Sequence, residues 1–176
     1  MLSRIFGYEP PSITESPCYK EGLVYESKLL GESPKLSVYD VDINDGKGSF
    51  LHTVEVKNDK PTKSPVVIMH GYGNGIGYLF QNLRPLSNLL PKRSVFGIDM
   101  LGFGLSSRPS WDSHMSTGPA NSTKLSQVKT AESWFVNSLE EWRKSQEIER
   151  MVLCGHSMGG YLSVAYAEAY PERVER

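Results

Sequence analysis

A mostly parallel α/β sheet with flanking helices and an antiparallel amino-terminal hairpin is the fold class this sequence predicts. Three observations predict it. The runs Val66–Met69, Val95–Ile98 and 151–154 carry no polar side chain other than a cysteine, as expected of strands buried on both faces between helix layers. Each is followed by apolar residues at three- and four-residue spacing, and strand, helix, strand, helix in that order gives parallel strands joined by right-handed crossovers. Before them, two alternating runs flank Asn44-Asp45-Gly46, the composition of a hairpin turn.

The elements follow in chain order. Residues 1–34 are rich in Pro, Ser and Glu and have little periodicity; they read as an irregular leader with at most one short helix over 19–30. The hairpin comprises Leu36–Asp42 and 50–57, two expected edge strands. After the breaker-rich stretch 58–64, the first buried strand ends at His70-Gly71. Tyr78, Leu79, Leu83, Leu86 and Leu90 then trace a helix that Pro85 must interrupt or kink. The second buried strand ends at Asp99. Residues 108–124, with Ser, Gly, Pro and Asn and few apolar anchors, predict an exposed loop beside the substrate entrance. In the next helix Ala131, Phe135, Leu139 and Trp142 face the sheet, with Glu140, Glu141, Arg143 and Lys144 on the other faces. The third buried strand runs into Gly155-His156-Ser157-Met158-Gly159. A helix with Met158, Leu162, Ala165, Tyr166 and Ala169 on one face follows and stops at Pro171.

Bulk properties exclude several function classes. At 176 residues the chain has the common size of one domain with its own core. A mean hydropathy of -0.36 and the lack of any run of about 18 apolar residues argue against a membrane span, so any membrane contact is peripheral. With 19 basic and 20 acidic residues, no charge footprint attracts nucleic acid. Cys18 and Cys154 form neither a CxxC pair nor a metal-ligand cluster, which predicts free thiols, an intracellular setting and no metal. The amino terminus matches no secretory signal, so the formal glycosylation acceptor Asn121-Ser122-Thr123 has no route to use. No cofactor motif is present.

Two motifs carry chemistry, and a third lies beside them. The GxSxG segment at Gly155, Ser157 and Gly159 leaves a buried strand and enters a helix. In that context it forms a strained elbow that lifts the serine hydroxyl above the sheet. Small residues are required at 155 and 159, where side chains would meet neighbouring backbone, and the helix amino terminus favours negative charge developing at Ser157. His70-Gly71-Tyr72-Gly73, directly after the first buried strand, supplies a loop whose backbone N–H groups can face a reacting carbonyl. The Tyr72 and Met158 amides are the expected oxyanion-hole donors, with His70 ordering the loop by hydrogen bonds and His156 packed along the elbow. Asp99-Met100-Leu101-Gly102-Phe103-Gly104-Leu105-Ser106 reads as a structural turn at the carboxyl end of a strand, close to the site but outside the chemistry.

The order HGYG, DMLGFGLSSRP, GHSMGG and a helix ending in YPERV resembles the α/β-hydrolase family. Within it the chain is similar to the branch of lipid acyl hydrolases, lysophosphatidic acid acyltransferases and lipase coactivators, which includes fungal mitochondrial cardiolipin deacylases. The resemblance covers about two-thirds of the chain, from Pro65 to Val174. It implies a truncated α/β-hydrolase fold, residues 35–176 being the amino-terminal half, and a lipid carboxylic ester as substrate. It also implies an acyl-enzyme on Ser157, oxyanion donors at Tyr72 and Met158, and a mitochondrial or lipid-associated location with peripheral membrane or lipid-droplet contact. In this fold the triad follows the order serine, acid, histidine. Here His52, His70, His114 and His156 all precede Ser157, and Glu168, Glu172 and Glu175 are ill placed as the acid. Val174-Glu175-Arg176 falls where the family begins its next central strand. The expectation is a truncated chain that is inactive by itself, with a non-catalytic lipid-binding or lipase-regulatory protein as the alternative. A dehalogenase or epoxide hydrolase is disfavoured because the elbow presents serine.

Overall fold

The computed structural model of the chain describes residues 13–109 and 123–175. Its strands are β1 (Leu36–Asp42), β2 (Phe50–Val56), β3 (Val66–Met69), β4 (Val95–Ile98) and β5 (Val152–Gly155), in the spatial order β1-β2-β4-β3-β5. β1 and β2 are antiparallel, β2 and β4 are antiparallel, and β4, β3 and β5 are parallel. The helices are α1 (Pro17–Leu30), α2 (Phe80–Leu89), α3 (Lys124–Ser145) and α4 (Met158–Ala169), with 3-10 turns at Ile13–Glu15, Ile76–Leu79 and Pro171–Arg173.

Alternation along the strands divides the core between two faces. Val67, Met69, Phe96 and Ile98 pack with Val136, Leu139 and Trp142 of α3 and with Leu162 and Tyr166 of α4. Val66, Ile68, Val54 and Val95 pack with Leu30 of α1, Ile76 and Leu83. Successive side chains point to opposite faces, and helices cover both, so β3 and β4 are apolar throughout.

The structure departs from the sequence reading at five places. β2 pairs with β4 as well as β1, so the hairpin supplies one edge strand rather than two, and His52 and Thr53 are buried with their apolar neighbours. The short helix expected over 19–30 is present and runs from Pro17 to Leu30, so most of the described leader is helical rather than irregular. Pro17 is pre-set for the first turn, and Gly31, at φ 60°, closes the helix with its N–H on the Ser27 carbonyl at 2.9 Å. Its inner face holds Tyr19 and Glu26 beside Leu30, so hydrophobic periodicity shows it only weakly. Tyr78 lies in a 3-10 turn and is exposed, while α2 runs through Pro85. Glu140 and Arg143, expected on the solvent side of α3, are buried because they satisfy one another. Arg143 donates to both Glu140 oxygens at 2.8 and 2.7 Å and to the Ile148 carbonyl, and Tyr166 donates to Glu140 at 2.6 Å. Finally, β5 is half-buried to exposed and Cys154 is exposed. Beyond β3, the contact to Met151 at its start is an isolated parallel bridge to Val174.

Trp142 is fully buried edge-on to Phe96 at 5.6 Å, and its indole N–H donates to Thr53 Oγ1 at 2.9 Å. Thr53→Val keeps the shape and leaves that N–H unpaired. The expected loss is about 1–3 kcal/mol of unfolding free energy in urea titration, with the denaturant slope unchanged.

Candidate active site

Ser157 stands between β5 and α4 with φ 54° and ψ -116°. Besides Glu147 it has the only positive φ of any non-glycine among the described residues. An L-residue held there costs about 1–3 kcal/mol and persists only where its surroundings over-determine it. Those surroundings are visible. A Cβ on Gly155 would fall on the Gly159 carbonyl, and one on Gly159 would lie 2.5 Å from the His70 oxygen and 2.7 Å from that of Met69. The His156 N–H donates to the Met69 carbonyl at 3.0 Å and the Gly159 N–H to the His156 carbonyl at 2.9 Å. Strand end and helix start are thereby pressed onto β3, and the serine takes up the turn.

The loop after β3 closes against this elbow. A Cβ on Gly71 would meet Ser157 Cβ at 3.3 Å and His156 Nδ1 at 3.0 Å, so the loop packs closely on the elbow and a side chain there would make these neighbours shift by a few tenths of an ångström. His70 is fully buried. The Met100 N–H donates to its Nε2 at 3.0 Å, which puts the ring proton on Nδ1, and Nδ1 donates to the Gly71 carbonyl at 2.7 Å. Both ring nitrogens are thus engaged in holding the loop. Among the described residues the Tyr72 and Met158 amides donate to no other group.

Asp99 anchors the loop from behind. Its carboxylate accepts from the Ile76 N–H and, at 2.6 Å, from the Leu105 N–H. Burial raises its pKa, against the pull of those two amides. Gly104, at φ 52°, passes so close that any Cβ there would overlap the carboxylate.

Tyr72 is exposed and stacks edge-on with Phe103 at 5.5 Å. His156, expected to be packed, is exposed with Ser157 because among the described residues β5 pairs with β3 alone, and its ring lies 6.2 Å from that of Tyr78. Among the described residues no imidazole is hydrogen-bonded to the Ser157 hydroxyl. His114, most of the loop expected at the substrate entrance, and Asn121 and Ser122 of the glycosylation acceptor lie outside the described residues. Among the described residues no group of three His, Cys, Asp or Glu could hold a metal, and no helix is long and apolar enough to cross a membrane. A cavity of about 680 Å³ between the β1–β2 turn and α3 includes none of the site residues.

One cluster has no counterpart in the sequence reading. His52, buried on β2, bonds Asp40 of β1 through Nδ1 and Glu26 of α1 through Nε2, both at 2.7 Å, and Tyr19 donates to the other Asp40 oxygen at 2.5 Å. Burial alone would lower the His52 pKa. Hydrogen bonds to the two carboxylates outweigh it and push the value up to about 9. No linear motif links positions 19, 26, 40 and 52.

Comparison with known proteins places this geometry among others. A family model described as alpha/beta hydrolase fold matches residues 64–176. The rat protein named 1-acylglycerol-3-phosphate O-acyltransferase ABHD5 is 37% identical over 127 residues, covering 72% of this chain and 32% of its own length. The mouse (lyso)-N-acylphosphatidylethanolamine lipase is 38% identical over 125 residues, 71% of this chain and 32% of that protein. The solved carboxylesterase CesB from Bacillus subtilis superposes with a TM-score of 0.63 at 20% identity, over 90% of this chain and 46% of that one. The chain spans about a third of the length of the curated relatives it matches.

Proposed function

The chain belongs to the alpha/beta hydrolase fold family, and from that membership and the strained turn at Ser157 we propose that the whole protein is a serine acyl hydrolase or acyltransferase acting on a lipid carboxylic ester. The observation that carries this is the positive φ of Ser157 at a strand-to-helix turn, with the Gly71 loop packed against it. In the proposed reaction Ser157 Oγ adds to the ester carbonyl as its proton passes to a general base. The Tyr72 and Met158 amides hold the oxyanion. Collapse expels the alcohol and leaves an acyl-serine, which water or a lysophospholipid then takes up. The names of the relatives, an acyltransferase and a lipase acting on lipids, support the substrate class. The base and its acid have no candidate among the described residues, so we propose that this chain alone does not turn over esters.

A fluorophosphonate probe tests the reading. In the full-length protein the expected result is covalent labelling at Ser157 that Ser157→Ala abolishes. A folded full-length protein that resists the probe would sink the acyl-enzyme and favour a non-catalytic lipid-binding or lipase-regulatory protein, a reading motivated by the lack of an imidazole at Ser157.

A further inference from the structure

We propose that His52 and Glu26 are positioning residues: their buried contact clamps α1 against the rear of the glycine loop and so sets how firmly the loop after β3 is held against Ser157. The consequence for activity rests on the acyl-transfer reading, whereas the physical coupling does not.

The contacts run continuously from α1 to the loop. Glu26 reaches from α1 to His52, and its other oxygen would lie 3.8 Å from a Cβ on Gly77. Gly22 one turn earlier abuts Leu105, where a Cβ would lie 2.6 Å from a leucine methyl, and Leu105 N–H holds the Asp99 carboxylate. α1 and the loop also form the two walls of a cleft of about 510 Å³, with Tyr25 and Leu29 on one side and Gly73, Asn74 and Tyr78 on the other. A second route runs through the backbone of His52. Its N–H donates to Ser106 Oγ at 2.8 Å, Ser106 donates to the Asp99 carbonyl at 2.7 Å, and the Asp99 N–H returns to the His52 carbonyl at 2.9 Å. Asp99 in turn accepts the Ile76 N–H, while the next residue, Met100, donates to His70, which donates to Gly71.

The clamp requires a proton on each ring nitrogen, because each faces a carboxylate that can only accept. The charged or titratable groups facing His52 are Glu26 and, through Asp40, Tyr19 on α1, Asp40 on β1 and Asp99 at the end of β4. With its folded pKa raised from 6.5 to about 9, the imidazolium adds stability that is fully present below about pH 6.5 and lost as pH rises through about 9. Loss of one proton would set a ring lone pair against a carboxylate and release α1 or β1.

Native-state hydrogen–deuterium exchange on the 176-residue chain reads this directly. After correction for intrinsic rates, amides of 71–79 and of α1 are expected to lose roughly tenfold or more in protection between about pH 7 and about pH 10, most of it before about pH 9 with a midpoint near about 8, while the β2–β4 ladder keeps its own. Glu26→Gln should move that midpoint down by a pH unit or more, and Glu26→Asp should recover part of it. Protection of 71–79 that stays constant across the ramp in the unsubstituted chain would overturn the proposal, and that arm needs no variant to fold. A normal loop response with no fluorophosphonate labelling in the full-length protein would sink the acyl-transfer reading and leave the clamp standing.

Discussion

Gly159→Ala is expected to reduce fluorophosphonate labelling of Ser157 in the full-length protein by about 100-fold or more, the scale of a catalytic group displaced by about 1 Å. The added methyl would lie 2.5 Å from the His70 carbonyl oxygen and 2.7 Å from that of Met69. Both are backbone atoms of β3 and the loop after it, so no side-chain rotation relieves the overlap. α4 must back away from β3, carrying Ser157 off the Gly71 loop, at a stability cost of about 1–3 kcal/mol. Gly160→Ala is the matched control. Its methyl would sit 3.2 Å from the Gly155 carbonyl oxygen, a contact that a few tenths of an ångström relieves, and labelling should fall only slightly. Equal effects at 159 and 160 would remove the steric account of the elbow.

The second large effect is in the core beside α3. Trp142→Ala removes a fully buried indole that packs on Phe96 and bonds Thr53. The expected cost is about 3–5 kcal/mol, a fall of roughly 10 °C in Tm for a domain of this size. Combined with Thr53→Val the losses should be less than additive, because the indole's partner is already gone. Full additivity would show that the Trp142–Thr53 hydrogen bond contributes nothing of its own.

Much of this was legible in the linear chain. β1, β3 and β4 lie where the runs predicted them, because strands covered on both faces must be apolar at nearly every position and a hairpin edge must alternate. The apolar spacing of α3 was legible from Ala131 to Trp142, whereas its start at Lys124, capped by Thr123 whose hydroxyl accepts the Ser126 N–H, lies several residues before the stretch that spacing marks. The elbow was legible for a steric reason: the close approach of α4 to β3 tolerates only glycine at 155 and 159, and that constraint is written as spacing.

Other features belonged to the tertiary structure. The sequence by itself determined the strands, their order along the chain and the turn that bears Ser157, since each depends on residues a few positions apart. Only the assembled fold decided that β2 is interior, that Glu140 and Arg143 are buried, and that His52 holds Glu26 and Asp40. Those outcomes require polar groups tens of residues apart to find partners in a low-dielectric interior. Burying each alone is unfavourable and burying them together is not, a condition that no local pattern of hydrophobic residues encodes.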